Sequence, residues 1–445
     1  MSKYQPYPEY KDSEIEWLDE IPTHWIEGKI KYVTTNLDYR RIPLSAEERG
    51  KRKGSFPYYG ASGIIDSVDN FLFDEQTILI GEDGANLLSR STPLAFIASG
   101  KYWVNNHAHI LKPLDKIYTY WVNAFNNIDI TPVVSGSAQP KLTAEALGNL
   151  SIVYPASENE RKQIAAFLDH ETAKIDTLIE KQQQLIELLK EKRQAVISHA
   201  VTKGLNPDAP MKDSGIEWLG EVPEHWDVCL FKHKCNEVTD GAHISPDLKD
   251  GAHYFVSIKD IKNGIINFDN ALLTSSKSYD YLVKTGCMPF AGDILFSKDG
   301  TIGQTAITPN DIDFVVASSL IIIRPNRQQV VSEYLDFLLQ SSLVQEQVES
   351  FIKGAALRRL SIQNLLKIFG VFPSLGEQKE IAEYIKNQLK KYSDLMIQAN
   401  SQVKLLHERR TALISAAVTG KIDVRSWIAP TTSSDTNEAA QEVTA

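Results

Sequence analysis

The chain of 445 residues has few cysteines, no long apolar run and an excess of negative charge. Its three cysteines, Cys229, Cys235 and Cys287, form no Cys-x-x-Cys pair, which argues against a zinc site or a disulfide framework and favours reduced, packed thiols. No run of eighteen apolar residues predicts a membrane span, and residues 1–9 lack the apolar stretch of a secretion signal. We therefore expect a cytoplasmic protein that has no membrane partner and no metal site.

Motifs for catalysis are also missing. The sequence contains no GxxxxGK[ST] phosphate loop, no Gly-x-Ser-x-Gly elbow and no Asn/Asp-Pro-Pro-aromatic tetrapeptide of a methyltransferase, and Asn206-Pro207-Asp208 is the nearest match to the last. We therefore expect a chain that is not an enzyme and holds no cofactor. The net charge of −10 counts against a nucleic-acid partner, although a total charge can hide local basic patches.

An internal repeat organises the chain. Residues 11–25 read KDSEIEWLDEIPTHW and residues 212–226 read KDSGIEWLGEVPEHW, with eleven of the fifteen positions identical. Later segments of the two halves match in the same order along the chain: Asp83-Gly84 with Asp299-Gly300, Lys112-Pro113 with Arg324-Pro325, Gly136–Leu142 with Gly354–Leu360, Glu160–Ala165 with Glu377–Ala382, and Arg193–Thr202 with Arg410–Thr419. Each half, about 1–205 and about 206–425, therefore consists of a head, a variable globular domain and a helical segment.

Each half ends in a predicted long helix. Neither proline nor glycine interrupts Glu158–Thr202, and the second helix is predicted from Glu377 to Val418, before Gly420. Apolar residues recur along both helices at spacings of three, four and seven, which is typical of a coiled-coil seam. In the first helix they are Ile164, Leu168, Ile175, Leu178, Leu185 and Leu189, and in the second Ile381, Ile385, Tyr392, Leu395, Leu406 and Leu413. Glu171, Gln182 and Lys192 occupy further seam positions. Either each helix dimerises separately or the two pack antiparallel within one chain. We favour the second arrangement because it buries both apolar stripes without another molecule.

The globular domains mix short β-rich runs with glycine-rich turns, which predicts an α+β fold. Strands are predicted at Thr77–Ile80, Asn105–Leu111, Asp293–Phe296 and Phe314–Ile323, and helices at Tyr118–Asn126 and Ser332–Phe351. The last residues, 430–445, are rich in Ser, Thr and Ala, and we expect them to be disordered. His24 and His225 lie beside Trp25 and Trp226 in the repeated heads, where we expect a packing role.

Candidate DNA contacts lie in polar loops of both domains. Basic residues followed by aromatics and glycines suit phosphate contact and base-edge readout, although the same loop can be a solvated surface. The candidates of the first domain are Arg40, Arg41, Lys51, Arg52, Lys53, Tyr58, Tyr59, Ser62, Asn105, Asn106, His107 and Lys141. Those of the second domain are Asp240, His243, Lys259, Lys298, Thr301, Arg358 and Arg359.

Two other functions are compatible with parts of the sequence. Asp247, Asp260 and Lys262 resemble the Pro-Asp…(Asp/Glu)-x-Lys pattern of nucleases, in which carboxylates hold a metal ion. The pattern is short and has no counterpart in the first half. A protein scaffold whose heads bind other proteins, without any DNA role, is a further alternative.

The heads with Ile-Glu-Trp-Leu and Pro-x-x-Trp, the Glu-x-x-x-Ile-Ala helix starts and the Ala-Val-Thr helix ends resemble those of type I restriction–modification specificity subunits, over residues 1–425. The resemblance implies two target-recognition domains that each read half of a split, asymmetric site in double-stranded DNA. It also implies that an antiparallel two-helix coiled coil separates the domains in a pseudo-two-fold repeat. That coiled coil would set the length of the DNA spacer between the two half-sites and would dock two modification (methyltransferase) subunits. Restriction or translocase subunits would join this complex.

The same resemblance divides the chain and assigns the chemistry. S-adenosylmethionine, ATP and Mg²⁺ would belong to the partner subunits. The implied segments are a first head at 1–25, a target-recognition domain at 26–150, a central helical region at 155–205, a second head at 211–226, a second target-recognition domain at 227–372 and a C-terminal helical region at 374–422.

Overall fold

The computed structural model describes residues 4–136, 139–262, 264–352 and 358–429. The tail that we predict to be disordered, 430–445, lies outside the described residues. The chain forms two compact units: unit 1 contains the described residues of Met1–Gln182 and Ser401–Ala445, and unit 2 contains those of Gln183–Asn400. Each unit contains one complete head and one complete globular domain, together with parts of both long helices. Among the described helices, no segment has both the length and the apolar character of a transmembrane span.

The first half of the chain contains twelve described strands and six described helices. The strands are β1 Tyr10–Asp12, β2 Glu20–Pro22, β3 Trp25–Lys29, β4 Thr34–Asn36, β5 Lys53–Gly60, β6 Gly63–Val68, β7 Phe73–Asp74, β8 Thr77–Gly81, β9 Ala95–Ala98, β10 Lys101–Val104, β11 Ala108–Pro113 and β12 Ser151–Pro155. The helices are α1 Ile30–Val33, α2 Ala46–Lys51, α3 Asn86–Ser89, α4 Tyr118–Asn126, α5 Ala144–Asn149 and the long α6 Glu158–Lys203.

The second half follows the same plan with a different middle section. Its described strands are β13 Met211–Asp213, β14 Glu221–Pro223, β15 Asp227–Leu230, β16 Cys235–Asp240, β17 His253–Val256, β18 Ile261–Lys262, β19 Ile265–Ile266, β20 Leu272–Thr274, β21 Ile294–Ser297, β22 Thr305–Ile307, β23 Phe314–Val316, β24 Leu320–Pro325 and β25 Phe369–Phe372. Its helices are α7 Ser276–Lys284, α8 Ser332–Gln340, α9 Ser342–Ile352, α10 Ile362–Leu365 and the long α11 Leu375–Val418.

Sheet topology repeats between the two globular domains. A four-stranded antiparallel sheet has the order β4-β11-β8-β9 in the first and β16-β24-β21-β22 in the second. A second sheet contains a parallel pair in each domain, β5 with β10 and β17 with β23. The hairpins β1·β2 and β13·β14 and the pairs β3·β12 and β15·β25 match as well. The internal repeat and the α+β class predicted from the sequence are therefore confirmed.

The predicted elements need three corrections. The run Phe314–Ile323 is two strands, β23 and β24, because a turn at 317–319 carries the chain from one sheet to the other. The predicted helix Ser332–Phe351 breaks at Ser341, which is extended and whose hydroxyl donates to the Leu338 carbonyl at 2.6 Å. The predicted strand Asn105–Leu111 starts only at Ala108, so residues 105–107 form a loop. The long helices and α4 are confirmed within two residues at each end.

The repeated heads are attached to the starts of the long helices through a buried glutamate. In unit 1, Glu160 of α6 accepts hydrogen bonds from the Tyr7 hydroxyl at 2.8 Å and the Trp25 indole at 3.0 Å, and His24 lies 3.0 Å away. In unit 2, Glu377 of α11 accepts from the Trp226 indole at 3.0 Å, and His225 lies 2.9 Å away. Both tryptophans are fully buried. The packing role expected at these positions is therefore confirmed for the tryptophans, whereas His24 and His225 contact the glutamates from the surface.

Within each unit, the two long helices run in opposite directions. In unit 1, Ile164 and Leu168 near the start of α6 share a core with Ala417 near the end of α11, and Asp176 pairs with Arg410 at 2.8 Å. In unit 2, the end of α6 around Val201 packs against the start of α11 around Ile381. The antiparallel packing favoured from the sequence is therefore present in both units.

At two positions of α6, the residue buried in the seam is the one that follows the predicted residue. Leu178 and Leu185, predicted in the seam, are exposed, and their neighbours Ile179 and Ile186 are buried or half-buried. Leu168, Ile175 and Leu189 lie in the seam as predicted. In α11 the same shift replaces Leu395, which is exposed, with Met396, which is half-buried. The remaining predicted residues, Ile164, Ile381, Ile385, Tyr392, Leu406 and Leu413, are buried or half-buried. Among the predicted polar positions, Lys192 is exposed, whereas Glu171 and Gln182 are half-buried.

Candidate nucleic-acid interface

Five loops of the first domain meet where strands β5, β8 and β10 end and strand β11 begins. We call this set of loops junction 1 and define it as residues 38–41, 60–63, 82–84, 105–107 and 141–142. Three backbone hydrogen bonds join the loops: Asn105 N–H to the Tyr59 carbonyl at 3.0 Å, Glu82 N–H to the His107 carbonyl at 2.9 Å, and Leu142 N–H to the Glu82 carbonyl at 2.8 Å. Polar side chains from distant parts of the sequence therefore share one surface region, as binding sites on loops generally do.

Junction 2 occupies the same place in the second domain and consists of residues 240–243, 257–260, 298–301, 317–319 and 359–360. Its three backbone hydrogen bonds match those of junction 1: Ala317 N–H to the Val256 carbonyl at 2.8 Å, Lys298 N–H to the Ser319 carbonyl at 3.0 Å, and Leu360 N–H to the Lys298 carbonyl at 2.8 Å. The two junctions therefore share a backbone frame but carry different side chains.

Junction 1 lies over a network of half-buried charged groups around the buried His109. Asp38 Oδ2 is 2.6 Å from His109 Nδ1, and Arg41 donates to Glu82 at 2.6 Å and to the Ala108 carbonyl at 2.9 Å. Burial raises the pKa of Asp38, but hydrogen bonds from His109 and other donors outweigh it, so that this pKa lies below its ordinary value. The pKa of Glu82 is also lowered, because Arg41, His109 and Lys141 outweigh its burial. Both carboxylates are therefore held in the ionised form.

Junction 2 contains a simpler network. The amine of Lys298 is buried and contacts the carboxylate of Asp240, which also lies 3.1 Å from His243. Arg359 lies 3.8 Å from Asp299. The strand pairing makes Asp240 the counterpart of Asp38 and Lys298 the counterpart of Glu82. A carboxylate in the first domain is therefore replaced by an amine in the second.

Carboxylates neutralise most of the basic loop between residues 40 and 53. The partners are Glu75 for Arg40 at 2.6 Å, Glu82 for Arg41 at 2.6 Å, Glu47 for Lys51 at 2.5 Å, Asp69 for Arg52 at 2.9 Å and Asp66 for Lys53 at 2.6 Å. Arg40 and Arg52 also lie over the rings of Phe73 and Trp103. This loop therefore presents less free positive charge to phosphates than its sequence suggests, and its guanidinium groups hold the fold of the domain together.

Three predicted contact residues are buried, which corrects their assignment. Tyr58 has no exposed surface, and its hydroxyl accepts from the Leu44 N–H at 2.8 Å. Asn105 is buried and accepts from the His107 N–H at 2.8 Å. Lys298 is buried against Asp240. None of these side chains reaches the surface, so they support the loops and do not touch a ligand directly.

Other predicted residues are accessible at the junctions. In junction 1, Ser62, Asn106 and His107 are exposed, as is Lys141, and His107 Nδ1 lies 2.7 Å from Asp83. Tyr59, next to the junction, is half-buried and stacks on Phe96, and burial raises its pKa. In junction 2, the exposed residues are His243, Lys259, Thr301 and Arg359. Arg358, which pairs with Glu349 at 2.9 Å, is exposed beside them.

Sequence reasoning missed Asp38, Glu82 and His109. A polar residue inside an apolar strand is an available signal for His109, because the strand β11 reads AHILKP. The repeat also marks Glu82, which precedes the matched Asp83-Gly84 pair. No comparable signal singles out Asp38 in the sequence.

The two carboxylates of the alternative nuclease pattern have structural roles. Asp260 caps its own turn by accepting from the Ser257 N–H at 2.8 Å and the Ser257 hydroxyl at 2.9 Å. Asp247 accepts a hydrogen bond from the Lys249 N–H at 3.0 Å, as in an Asx turn. These local bonds account for both carboxylates without catalysis.

Comparison with known proteins identifies the family. The model of the type I restriction modification DNA specificity domain matches twice, over residues 22–188 and 231–405. A Haemophilus influenzae protein assigned as a type I restriction enzyme specificity subunit is 27% identical over 378 residues, which are 84% of this chain and 87% of that protein. The type I restriction enzyme MjaVIII specificity subunit of Methanocaldococcus jannaschii is 22% identical, over 95% of this chain and 98% of that protein.

A solved structure shares the fold. It was described for complex assembly and conformational transition of the type I R-M system, and one of its chains matches with a TM-score of 0.65 and 12% identity, over 90% of this chain and 99% of that one. Because the family model covers most of the chain in two copies, the chain belongs to the family of type I restriction modification DNA specificity domain proteins.

Proposed function

We propose that the chain is the DNA sequence-specificity subunit of a type I restriction–modification complex, in which each globular domain reads one half of a split site. The observation that carries this proposal is the pair of junctions, which have the same three backbone hydrogen bonds and different side chains. Phosphate contacts position a protein on DNA, whereas side chains at base edges determine the sequence that is read. Two junctions with different side chains therefore favour two different half-sites and an asymmetric target.

The exposed residue types at the junctions suit DNA. Asn106 can donate to and accept from adenine, and Arg359 suits a guanine edge or a phosphate. Lys141 and Lys259 suit phosphate oxygens. Since the whole chain carries a net charge of −10, the chain alone is expected to bind DNA weakly, and partner subunits are expected to supply part of the positive groove.

In this proposal the long helices set the spacer and dock two modification subunits, which restriction subunits join. Exposed apolar side chains outside the seam support docking on these helices, among them Leu188 on α6 and Ile397 and Leu405 on α11. S-adenosylmethionine, ATP and Mg²⁺ are then cofactors of the partners, and the complex works in the cytoplasm.

Mapping methylated adenines tests the proposal most directly. In the host genome, methylation at a two-part motif is expected when the gene is present and not when it is deleted. Asn106→Ala in junction 1 should relax the sequence at one half only, and Thr301→Ala in junction 2 should relax it at the other half only, each by about 1 to 3 kcal/mol of discrimination. Methylation without a two-part motif, or relaxation of the same half by both variants, would contradict the proposal.

The spacer has its own test. Inserting seven residues into α6 and seven into α11 keeps the seam in register and lengthens each helix by about 10 Å. The gap between half-sites should then grow by about three base pairs. An unchanged gap in an assembled, active complex would remove the helices as the ruler.

A further inference from the structure

His109 is the buried centre of the network beneath junction 1. It lies on β11 with 1% of its surface exposed. Its Nδ1 faces Asp38 Oδ2 at 2.6 Å, and its Nε2 faces the Leu142 carbonyl at 2.8 Å. A carboxylate and a carbonyl are both acceptors, so each of these bonds requires a hydrogen on the ring nitrogen. The ring therefore joins the turn at residue 38 to the loop at residue 142.

The charged groups around His109 are complementary. Glu82 Oε2 lies 3.8 Å from its Nδ1, and Arg41 and Lys141 pair with the same glutamate at 2.6 and 3.3 Å. With Asp38 and Glu82 ionised, a ring with two N–H groups places a positive charge between two half-buried carboxylates. Without it, Asp38 keeps bonds from the Ile110 N–H and from Asn36 but loses the link through the ring to the Leu142 carbonyl.

In the second domain, one residue links the two corresponding loops. Ile321 has the strand position of His109, and Lys298 has that of Glu82. The amine of Lys298 reaches Asp240 directly, and its own carbonyl accepts from Leu360. A single buried lysine therefore joins the turn at residue 240 to the loop at residue 360.

We propose that His109 is a positioning residue for DNA reading by the first domain, and that Lys298 has the equivalent role in the second. This inference rests on the proposed function. His109 is buried and does not touch DNA. It fixes the loops that carry Asp83, Asn106 and Lys141, and thereby determines how strictly the first half-site is read.

The test uses the complex assembled with its modification subunits. Equilibrium binding is measured with three duplexes: the cognate site, a site with the first half scrambled and a site with the second half scrambled. For His109→Ile, we expect the discrimination at the first half to fall about tenfold or more, as for loss of a charge-assisted hydrogen bond. Discrimination at the second half should stay unchanged.

A rescue variant separates positioning from simple damage to the fold. Because Glu82 also pairs with Arg41, the rescue changes three residues: Arg41→His, Glu82→Lys and His109→Ile together copy His243, Lys298 and Ile321 around the aspartate of the second domain. This triple variant should restore most of the discrimination at the first half. Failure of this rescue, or wild-type discrimination in His109→Ile alone, would overturn the inference. If the wild-type complex prefers neither half, the proposed function itself fails.

A measurement on the wild-type chain is independent of the variants. Nitrogen NMR of the histidine-labelled chain should show one buried imidazole with hydrogens on both ring nitrogens, and His109→Ile should remove that signal. A buried ring at this position with one bare nitrogen would overturn the inference as well.

Discussion

Glu160 and Glu377 occupy the same position in the two halves and bind the same pair of head residues, yet their surroundings differ. The side chain of Glu160 is 5% exposed, whereas that of Glu377 is 27% exposed. The difference arises from Tyr7, whose hydroxyl donates to Glu160, and from Arg425, which lies over the Tyr7 ring. Burial, together with the bond to Glu160, raises the pKa of Tyr7 well above its ordinary value. The repeated motif therefore determines which hydrogen bonds form. Residues outside the motif, here Tyr7 and Arg425, determine how deeply the glutamate is buried and so how much these bonds contribute to stability.

Removing these carboxylates should give the largest loss of stability, and the loss should differ between the two units. Glu160→Ala leaves a buried indole and a buried hydroxyl without an acceptor, and is expected to lower the free energy of unfolding of unit 1 by about 3 to 5 kcal/mol. Glu377→Ala leaves one buried donor beside an exposed histidine, and is expected to cost unit 2 about 1 to 2 kcal/mol. Denaturant unfolding combined with hydrogen exchange, resolved by unit, measures both.

Tyr7→Phe provides the control, because it removes only the donor that unit 2 lacks. It should bring the effect of Glu160→Ala close to that of Glu377→Ala. Equal losses for the two alanine variants in the wild-type background would refute the explanation by burial.

The short helices α4 and α8 provide a second comparison, since they cover equivalent sheets and align from Tyr118 with Ser332 onward. Val122 in the first aligns with Asp336 in the second. Burial raises the pKa of Asp336 from 3.8 to about 6, against hydrogen bonds from Thr305 and Gln340 that lower it. The folded state therefore holds this proton more tightly than the unfolded state does. The stability of unit 2 should fall as the pH rises from about 4 through about 6 and then level off, with a total loss of up to about 3 kcal/mol.

Asp336→Val, which copies the first domain, should remove that penalty. At pH 8 we expect unit 2 to gain about 1 to 3 kcal/mol, because Gln340 still donates to the Thr305 hydroxyl at 3.1 Å. At pH 4 to 5, where Asp336 is protonated, the gain should shrink towards zero. Unfolding midpoints at both pH values measure the difference, and a gain of the same size at both would show that ionisation of Asp336 is not its source.

The sequence predicted the repeat, the fold class and the ends of the long helices, because these depend on local patterns that each segment carries by itself. It did not predict which of two adjacent apolar residues faces the seam. Leu178-Ile179 and Leu185-Ile186 each offer two apolar side chains, and both choices satisfy a spacing of three and four. The choice is made by the partner helix, which a pattern within one helix does not contain.

Less of the candidate site than of the fold was predicted from the sequence. Loops rich in polar residues were found from composition, but their meeting at a junction depends on strand pairing between distant segments. Tyr58, Asn105 and Lys298 were misassigned because a polar side chain next to a glycine-rich turn looks the same in sequence whether it faces solvent or supports the loop. His109 was missed because its partners, Asp38 and Leu142, are 71 and 33 residues away.

The smallest expected effect concerns the aligned tyrosines of α4 and α8, Tyr120 and Tyr334. Both are fully buried, and burial raises the pKa of both well above the ordinary value, so neither ionises. The Tyr334 hydroxyl donates to the Val371 carbonyl at 2.8 Å, whereas the Tyr120 hydroxyl meets no hydrogen-bond partner among the described residues. Tyr334→Phe should therefore lower the stability of unit 2 by about 1 to 2 kcal/mol, because it leaves a buried carbonyl with one bond fewer.

Tyr120→Phe should change the stability of unit 1 by less than about 0.5 kcal/mol or raise it slightly, because it removes a buried polar atom and breaks no bond within the described chain. The two substitutions are chemically identical and fall on the same helix position, so side-chain volume and helix propensity cancel in the comparison. Unfolding of the two single variants and the double variant, resolved by unit, measures the difference. Equal losses would mean that the Tyr120 hydroxyl has a partner as good as the Val371 carbonyl, and the two domains would then differ at this position in the identity of that partner and not in its presence.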